Sequence, residues 1–226
     1  MKYFFTIMPF AALLLLALIN PQKKIKVIFF GDSITQAGVQ PNGYITKLDS
    51  IIKQSHLPNS VELVGAGIGG NKVYDLYLRM DDDVLSKNPD VVVIYVGIND
   101  VWHKASSGTG SDADKFEKFY RAIVKRLQNQ NIKVIVCTPS VIGERNDNSN
   151  PQDGDLNQYS KIIRAIAKDL SIPVCDLREG FLTYLKTNNP TNAEKEILTS
   201  DRVHLNNKGN LFVATQMWPV LQPMIK

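Results

Sequence analysis

The 226-residue chain holds only two cysteines and three histidines. Neither type is grouped. There is no Cys-x-x-Cys pair and no His-rich run, so nothing in their spacing suggests a metal site. Long runs of one charge are also missing. The 26 Lys and Arg against 22 Asp and Glu leave a formal charge of +4, and the longest basic stretch is Lys23-Lys24 with Lys26. Nucleic acid is therefore a poor expectation for a partner. No internal repeat is visible. What remains is the composition of a soluble globular protein, 44% hydrophobic and 21% charged, with length enough for one large domain and a sizeable core.

The N-terminus differs in kind. Lys2 is followed by an apolar stretch from Tyr3 to Ile19, broken only by Thr6 and Pro9, and then by polar Asn20-Pro21-Gln22-Lys23-Lys24. One charge before such a run reads as a secretory signal. The alternative is a retained membrane anchor, although the run is short of the roughly 20 apolar residues a span needs. No clear small-x-small triplet precedes Pro21. The expectation is an exported protein, periplasmic or secreted, with residues 1–22 as signal peptide or anchor and 23–226 as the working domain. Membrane contact would come only through that first segment. Export would permit a disulfide between Cys137 and Cys175, but both close apolar runs, and two buried thiols are the favoured reading.

From Lys24 onward, short β-rich runs alternate with segments of helical period. Ile25–Phe30, Val61–Val64, Val91–Val96, Val134–Cys137 and Ile172–Cys175 lack polar alternation, as strands covered on both faces do. Between them, apolar residues recur on one helical face in 44–52, 116–127, 159–170 and 211–221. This alternation predicts an α/β domain with a mostly parallel sheet and right-handed crossovers. The irregular stretches His103–Ser111 and Gly143–Asp155 follow strands and should sit at the carboxyl edge, where open α/β sheets place ligands.

Four segments could carry chemistry. Gly31-Asp32-Ser33 follows the first strand, so Ser33 stands at a strand-to-helix junction near free backbone N–H groups; the plain alternative is a helix cap. Asp201-Arg202-Val203-His204 lies late in the chain. His204 alone among the histidines has a carboxylate three residues before it, a spacing that lets Asp201 hold one ring nitrogen and leave the other free to accept a proton. His56 reads as a helix C-terminus, and His103 follows the third strand and could lie near the site. Gly65, Gly67 and Gly70 match the dinucleotide fingerprint G-x-G-x-x-G, but after the second strand and with no acidic residue closing the next. Tight-turn glycines, or a bare backbone N–H approaching a reacting oxygen, are the other readings. Asn99, after the third strand, is a turn residue by habit, and its amide can also donate to an oxyanion.

Acyl transfer needs a nucleophile, a base, an orienter and oxyanion donors, and these segments supply each once. In this the chain resembles the SGNH, or GDSL, family of ester hydrolases. Gly31-Asp32-Ser33 matches its first block, Gly67-Ile68-Gly69-Gly70 its second, Gly97-Ile98-Asn99-Asp100 its third and Asp201-Arg202-Val203-His204-Leu205 its last. One departure is Gly65, where the second block often has Asn. The resemblance implies a flavodoxin-like three-layer α/β/α sandwich with five parallel strands. It also implies Ser33 as nucleophile, His204 as base, Asp201 as orienter, and the N–H groups of Ser33 and Gly70 with the Asn99 amide as oxyanion hole. No metal or organic cofactor is implied. The polar loops favour a short acyl group, acetyl-like, on a polar or glycan alcohol. A lysophospholipase or thioesterase on longer chains is the alternative, and a nucleotide-binding or non-catalytic carbohydrate-binding domain is the alternative of another class.

Overall fold

The computed structural model describes residues 24–55 and 61–226. The expected signal or anchor and His56 lie outside them. Five parallel strands form one sheet: β1 (Ile25–Gly31), β2 (Val61–Gly67), β3 (Val91–Tyr95), β4 (Lys133–Cys137) and β5 (Val174–Cys175), in the order β2-β1-β3-β4-β5. Among the described residues, eight α-helices accompany it: α1 (Ser33–Gly38), α2 (Tyr44–Gln54), α3 (Val73–Asp83), α4 (Ile98–Ser107), α5 (Ala113–Gln128), α6 (Asp153–Asp169), α7 (Leu177–Asn188) and α8 (Asn207–Leu221). This is the flavodoxin-like strand order expected.

The unbroken apolar runs have a direct reason. Successive side chains of a strand point to opposite faces, and here both faces are covered. Ile28 and Phe30 of β1, with Val92 and Ile94 of β3, enter a core closed by α3, α5 and α6. Val27 and Phe29, with Val91, Val93 and Tyr95, enter a second core closed by α2, α7 and α8. Each such side chain contributes about 1.5–3 kcal/mol by burial, and both cores would loosen if β1 slipped by one residue.

Helices α2, α5, α6 and α8 fall where the apolar period places them. Helix α1 begins at the strand-to-helix junction expected at Ser33, the apolar period marks neither α3 nor α7, and His103–Ser111 is not irregular throughout. Helix α4 runs through Ser107 and ends at Gly108, whose N–H reaches the His103 carbonyl. The last strand is shorter than Ile172–Cys175. Its ladder starts after Pro173, which has no N–H to give and offers only its carbonyl to Val136. Cys137 and Cys175 are register neighbours on β4 and β5, both buried and unbridged. Among the described residues no helix is long and apolar enough to cross a membrane.

Candidate active site

In a sheet of this order the connections from β1 and β3 leave in opposite directions, opening a crevice above the carboxyl ends of these two strands. Ser33 follows β1 and Asn99 follows β3. Gly70 follows the neighbouring β2. The three strand ends thus bring together three residues that are far apart in sequence.

Ser33 is held by its neighbours. Asp32 caps α1, its Oδ1 accepting the Ile34 N–H at 3.0 Å, so Ser33 is the first helical residue and its own N–H has no acceptor within the helix. The segment thus holds a helix cap at Asp32 and, next to it, the candidate nucleophile Ser33. Behind Ser33, β2 presses on α1. A Cβ on Gly67 would stand 2.2 Å from the Gln36 nitrogen and 2.6 Å from the Asp32 carbonyl oxygen. Close packing thus accounts for a glycine of the apparent dinucleotide fingerprint, and both Gly65 and Gly67 lie within β2 rather than in the turn that follows it.

His204 arrives from the other end of the chain. Thr199 and Leu205 form an antiparallel bridge, and the Ser200 N–H donates to the His204 carbonyl at 2.8 Å. This closes a tight loop over residues 200–204. Asp201 Oδ1 accepts the backbone N–H groups of Val203 and His204 at 3.1 and 2.7 Å, and Oδ2 meets His204 Nδ1 at 2.6 Å. Arg202, between them, takes a φ of +89°, a strained value for a residue with a side chain. With Nδ1–H directed at the carboxylate, Nε2 is left as acceptor. It receives the Ser33 hydroxyl at 2.9 Å, across 171 positions of sequence.

The candidate oxyanion donors Gly70 and Asn99 follow the ends of β2 and β3. Gly70 has φ +76°, a left-handed conformation that glycine adopts without strain. Asn99 is buried, and one of its two amide hydrogens goes to the Asn71 carbonyl at 3.1 Å; the other remains available. Asn71 is itself fixed by Arg79 of α3. The Arg79 guanidinium also donates to the carbonyls of Gly31 and Ala66 and lies over the Phe30 ring. Gly65 leaves no gap where an Asn is usual, because a Cβ there would meet Val39 at 2.4 Å.

The charges divide by environment. Partial burial alone would raise the Asp201 carboxyl, but the hydrogen bonds from the His204 ring and from two backbone N–H groups outweigh it and hold Asp201 below the ordinary carboxylate value. Burial pushes Asp32 up to about 7, against the Ile34 N–H, with the nearby Asp100 adding to the rise. Burial likewise pushes Asp100 up to about 7, although Ser111 and the Val73 N–H oppose it. His103, beside Gly70, is lowered by burial and then by Lys72, both of which disfavour its charged form. Among the described residues no group of three or more His, Cys, Asp or Glu could hold a metal ion.

The structure brings all five predicted residues, Ser33, Gly70, Asn99, Asp201 and His204, to one edge of the sheet. Three others went unforeseen. The Trp102 ring packs edge-on against His204 with centroids 6.4 Å apart. Arg79 braces the donors, and Glu144 holds the His204 loop. Recognising α3 would have placed Arg79 beside the β1 and β2 ends. Trp102 and Glu144 reach the site only through tertiary contacts.

A hydroxyl that donates to an imidazole, itself oriented by a carboxylate, beside candidate donors for an oxyanion, is the arrangement of a serine hydrolase of the acyl-transfer class. Residues 29–211 match the GDSL-like lipase/acylhydrolase family. The chain belongs to that family and is a carboxylic ester hydrolase of the SGNH type. It is 65% identical to an acetyl xylan esterase of known crystal structure, with a TM-score of 0.84 over 86% of this chain and 98% of that one. An acetylxylan esterase of Geobacillus stearothermophilus is 29% identical over 204 residues, 84% of this chain and 90% of the relative. Solved structures of an acetylxylan esterase from that organism include catalytic mutants at a serine, an aspartate and a histidine, the last two three residues apart; the serine mutant aligns with a TM-score of 0.78 at 27% identity, over 88% of this chain and 94% of that one. A lipoprotein of Bacillus subtilis is 26% identical over 175 residues, 69% of this chain and 72% of the relative.

Proposed function

We propose that this hydrolase removes acetyl groups from acetylated carbohydrate, of the acetyl-xylan kind, through a covalent acetyl-enzyme on Ser33. Ser33 Oγ attacks the ester carbonyl carbon while its proton passes to His204 Nε2. Asp201 holds the ring tautomer and faces the imidazolium that forms. The N–H groups of Ser33 and Gly70 and the free Asn99 amide hydrogen receive the oxyanion. The tetrahedral intermediate collapses, the sugar oxygen leaves with the proton from Nε2, and the acetyl group stays on Ser33. Water, deprotonated by the same nitrogen, then releases acetate. No step requires a metal or an organic cofactor.

The observation that carries this reading is the 2.9 Å contact between Ser33 Oγ and His204 Nε2. The acetyl-xylan substrate rests on the 65% identical relative of that description. We also infer that the protein is exported, with residues 1–22 as signal or anchor and 23–226 as the hydrolase domain. The apolar run after Lys2 and the lipoprotein relative support this.

Acetate release from acetylated xylan, followed by proton NMR, tests the substrate. The expected result is release from the polymer or its oligosaccharides and a preference for p-nitrophenyl acetate over the decanoate. A preference for the decanoate, with no acetate from xylan, would overturn the acetyl-carbohydrate reading in favour of the long-chain one. Mass measurement of the protein recovered from cells tests export, and a cytoplasmic chain with Met1 intact would contradict it.

A further inference from the structure

Glu144 lies in the loop after β4, remote in sequence from every residue assigned a role above, and it is completely buried. Among the described residues no cation pairs with it. Its carboxylate instead accepts three consecutive backbone N–H groups: Ile197 on Oε2 at 2.8 Å, and Leu198 and Thr199 on Oε1, each at 2.7 Å. Charge-assisted bonds of this kind are short and strong, and an unmet carboxylate at such depth would be very costly. The geometry therefore needs both partners.

The segment it grips is the one that delivers His204. Thr199, whose N–H Glu144 binds, forms the bridge to Leu205, and Ser200 next to it closes the loop onto the His204 carbonyl. The Leu198 carbonyl accepts the Asn206 N–H at 3.0 Å, so the segment is clamped on the far side of His204 as well. The same β4 loop holds the strap at two more points. The Gly143 N–H donates to the carbonyl of Arg202, the strained residue between Asp201 and His204, and the Glu144 N–H donates to the Glu194 carbonyl, each at 2.9 Å. Asn189, the C-cap residue of α7, closes the arrangement, its amide donating to the Glu144 carbonyl at 2.8 Å.

We propose that Glu144 is a positioning residue for general acid–base catalysis, its buried carboxylate fixing the 197–199 backbone so that the Asp201–His204 pair stands over Ser33. The inference rests on the reading of His204 as the base. An amide cannot replace the carboxylate. A glutamine has one acceptor oxygen and a donating nitrogen, so at least one of the three N–H groups would face another donor. The resulting shift would reach Nε2 through the short bridge at Thr199.

The test compares wild type with E144Q and the shorter E144D on two acetate esters. p-Nitrophenolate leaves without needing a proton, whereas a sugar or alkyl alkoxide needs one from His204. Rates are expressed per active serine, counted by fluorophosphonate titration, so that any unfolded fraction drops out. The expected result is that kcat/KM for the alkyl or sugar acetate falls about tenfold or more beyond any fall with p-nitrophenyl acetate, since general acid–base catalysis contributes about 10²–10⁴. E144D should show the same split to a smaller degree. Equal losses on both esters, or wild-type values per titrated serine, would overturn the proposal. A wild-type enzyme that takes no label at Ser33 would instead defeat the serine-hydrolase mechanism itself, whatever Glu144 does.

Discussion

Arg79 Nε donates to Asn71 Oδ1 at 2.7 Å, and the carbonyl of that same Asn71 receives the Asn99 amide. One guanidinium on α3 thereby connects the ends of β1 and β2 to the side chain expected to meet the oxyanion. Lysine keeps the charge but offers a single point of donation, so Arg79→Lys should lose at least one bond to a backbone carbonyl and the grip on Asn71. The expected cost is about 2 kcal/mol. It should appear as a lowered urea midpoint at unchanged slope.

Asn99→Ala removes one proposed oxyanion donor without touching Ser33 or His204. Turnover should fall about 10²–10³-fold, with little change in KM because the bond forms mainly in the transition state. Steady-state kinetics on p-nitrophenyl acetate read this directly. A fall in KM-dependent terms alone would remove Asn99 from the proposed oxyanion hole.

Gly67→Ala would place a methyl 2.2 Å from the Gln36 backbone nitrogen. Backbone cannot yield as a flexible side chain does, so α1 must move, and α1 begins at Ser33. Overpacking of this kind costs about 1–3 kcal/mol. We expect a lower melting temperature together with slower fluorophosphonate labelling, whereas an equivalent change remote from α1 would alter only the former.

The fold was legible because its strands are covered on both faces and its major helices are amphipathic, patterns that survive in a linear text. The five candidate site residues were legible because acyl transfer demands particular residue types, and these stood at strand ends or three positions apart. The extent of helix α3 was not read because its run of Asp81, Asp82 and Asp83 obscures the apolar face made by Val73, Leu76 and Met80. Helix α4 was missed because polar Asn99, Asp100, His103 and Lys104 crowd a short element that Gly108 closes. Glu144 was legible only as part of the Gly143–Asp155 loop expected at the carboxyl edge, and nothing in the sequence marked its burial. A glutamate in a polar loop looks solvated until the chain brings 197–199 over it.

The raised pKa of Asp32 makes a prediction about stability. Below about pH 4 this carboxyl is protonated in both the folded and unfolded chain. Between there and its folded value of about 7, only the folded chain holds the proton, so its contribution to stability declines as pH rises, and above about 7 the cost of burying the charge is felt in full. Asp32→Asn keeps an oxygen to cap Ile34 but cannot ionise. The melting temperature of the variant relative to wild type should therefore be more favourable near pH 8 than near pH 5. A difference independent of pH, or one of opposite sign, would place the Asp32 titration elsewhere.

The most direct measurement is where a fluorophosphonate attaches. Mass spectrometry of the labelled protein should find the phosphonyl group on the peptide carrying Ser33, with no label and no ester hydrolysis in Ser33→Ala, and labelling strongly slowed in His204→Ala. Label on another residue, or hydrolysis that persists in a pure Ser33→Ala preparation, would contradict the account.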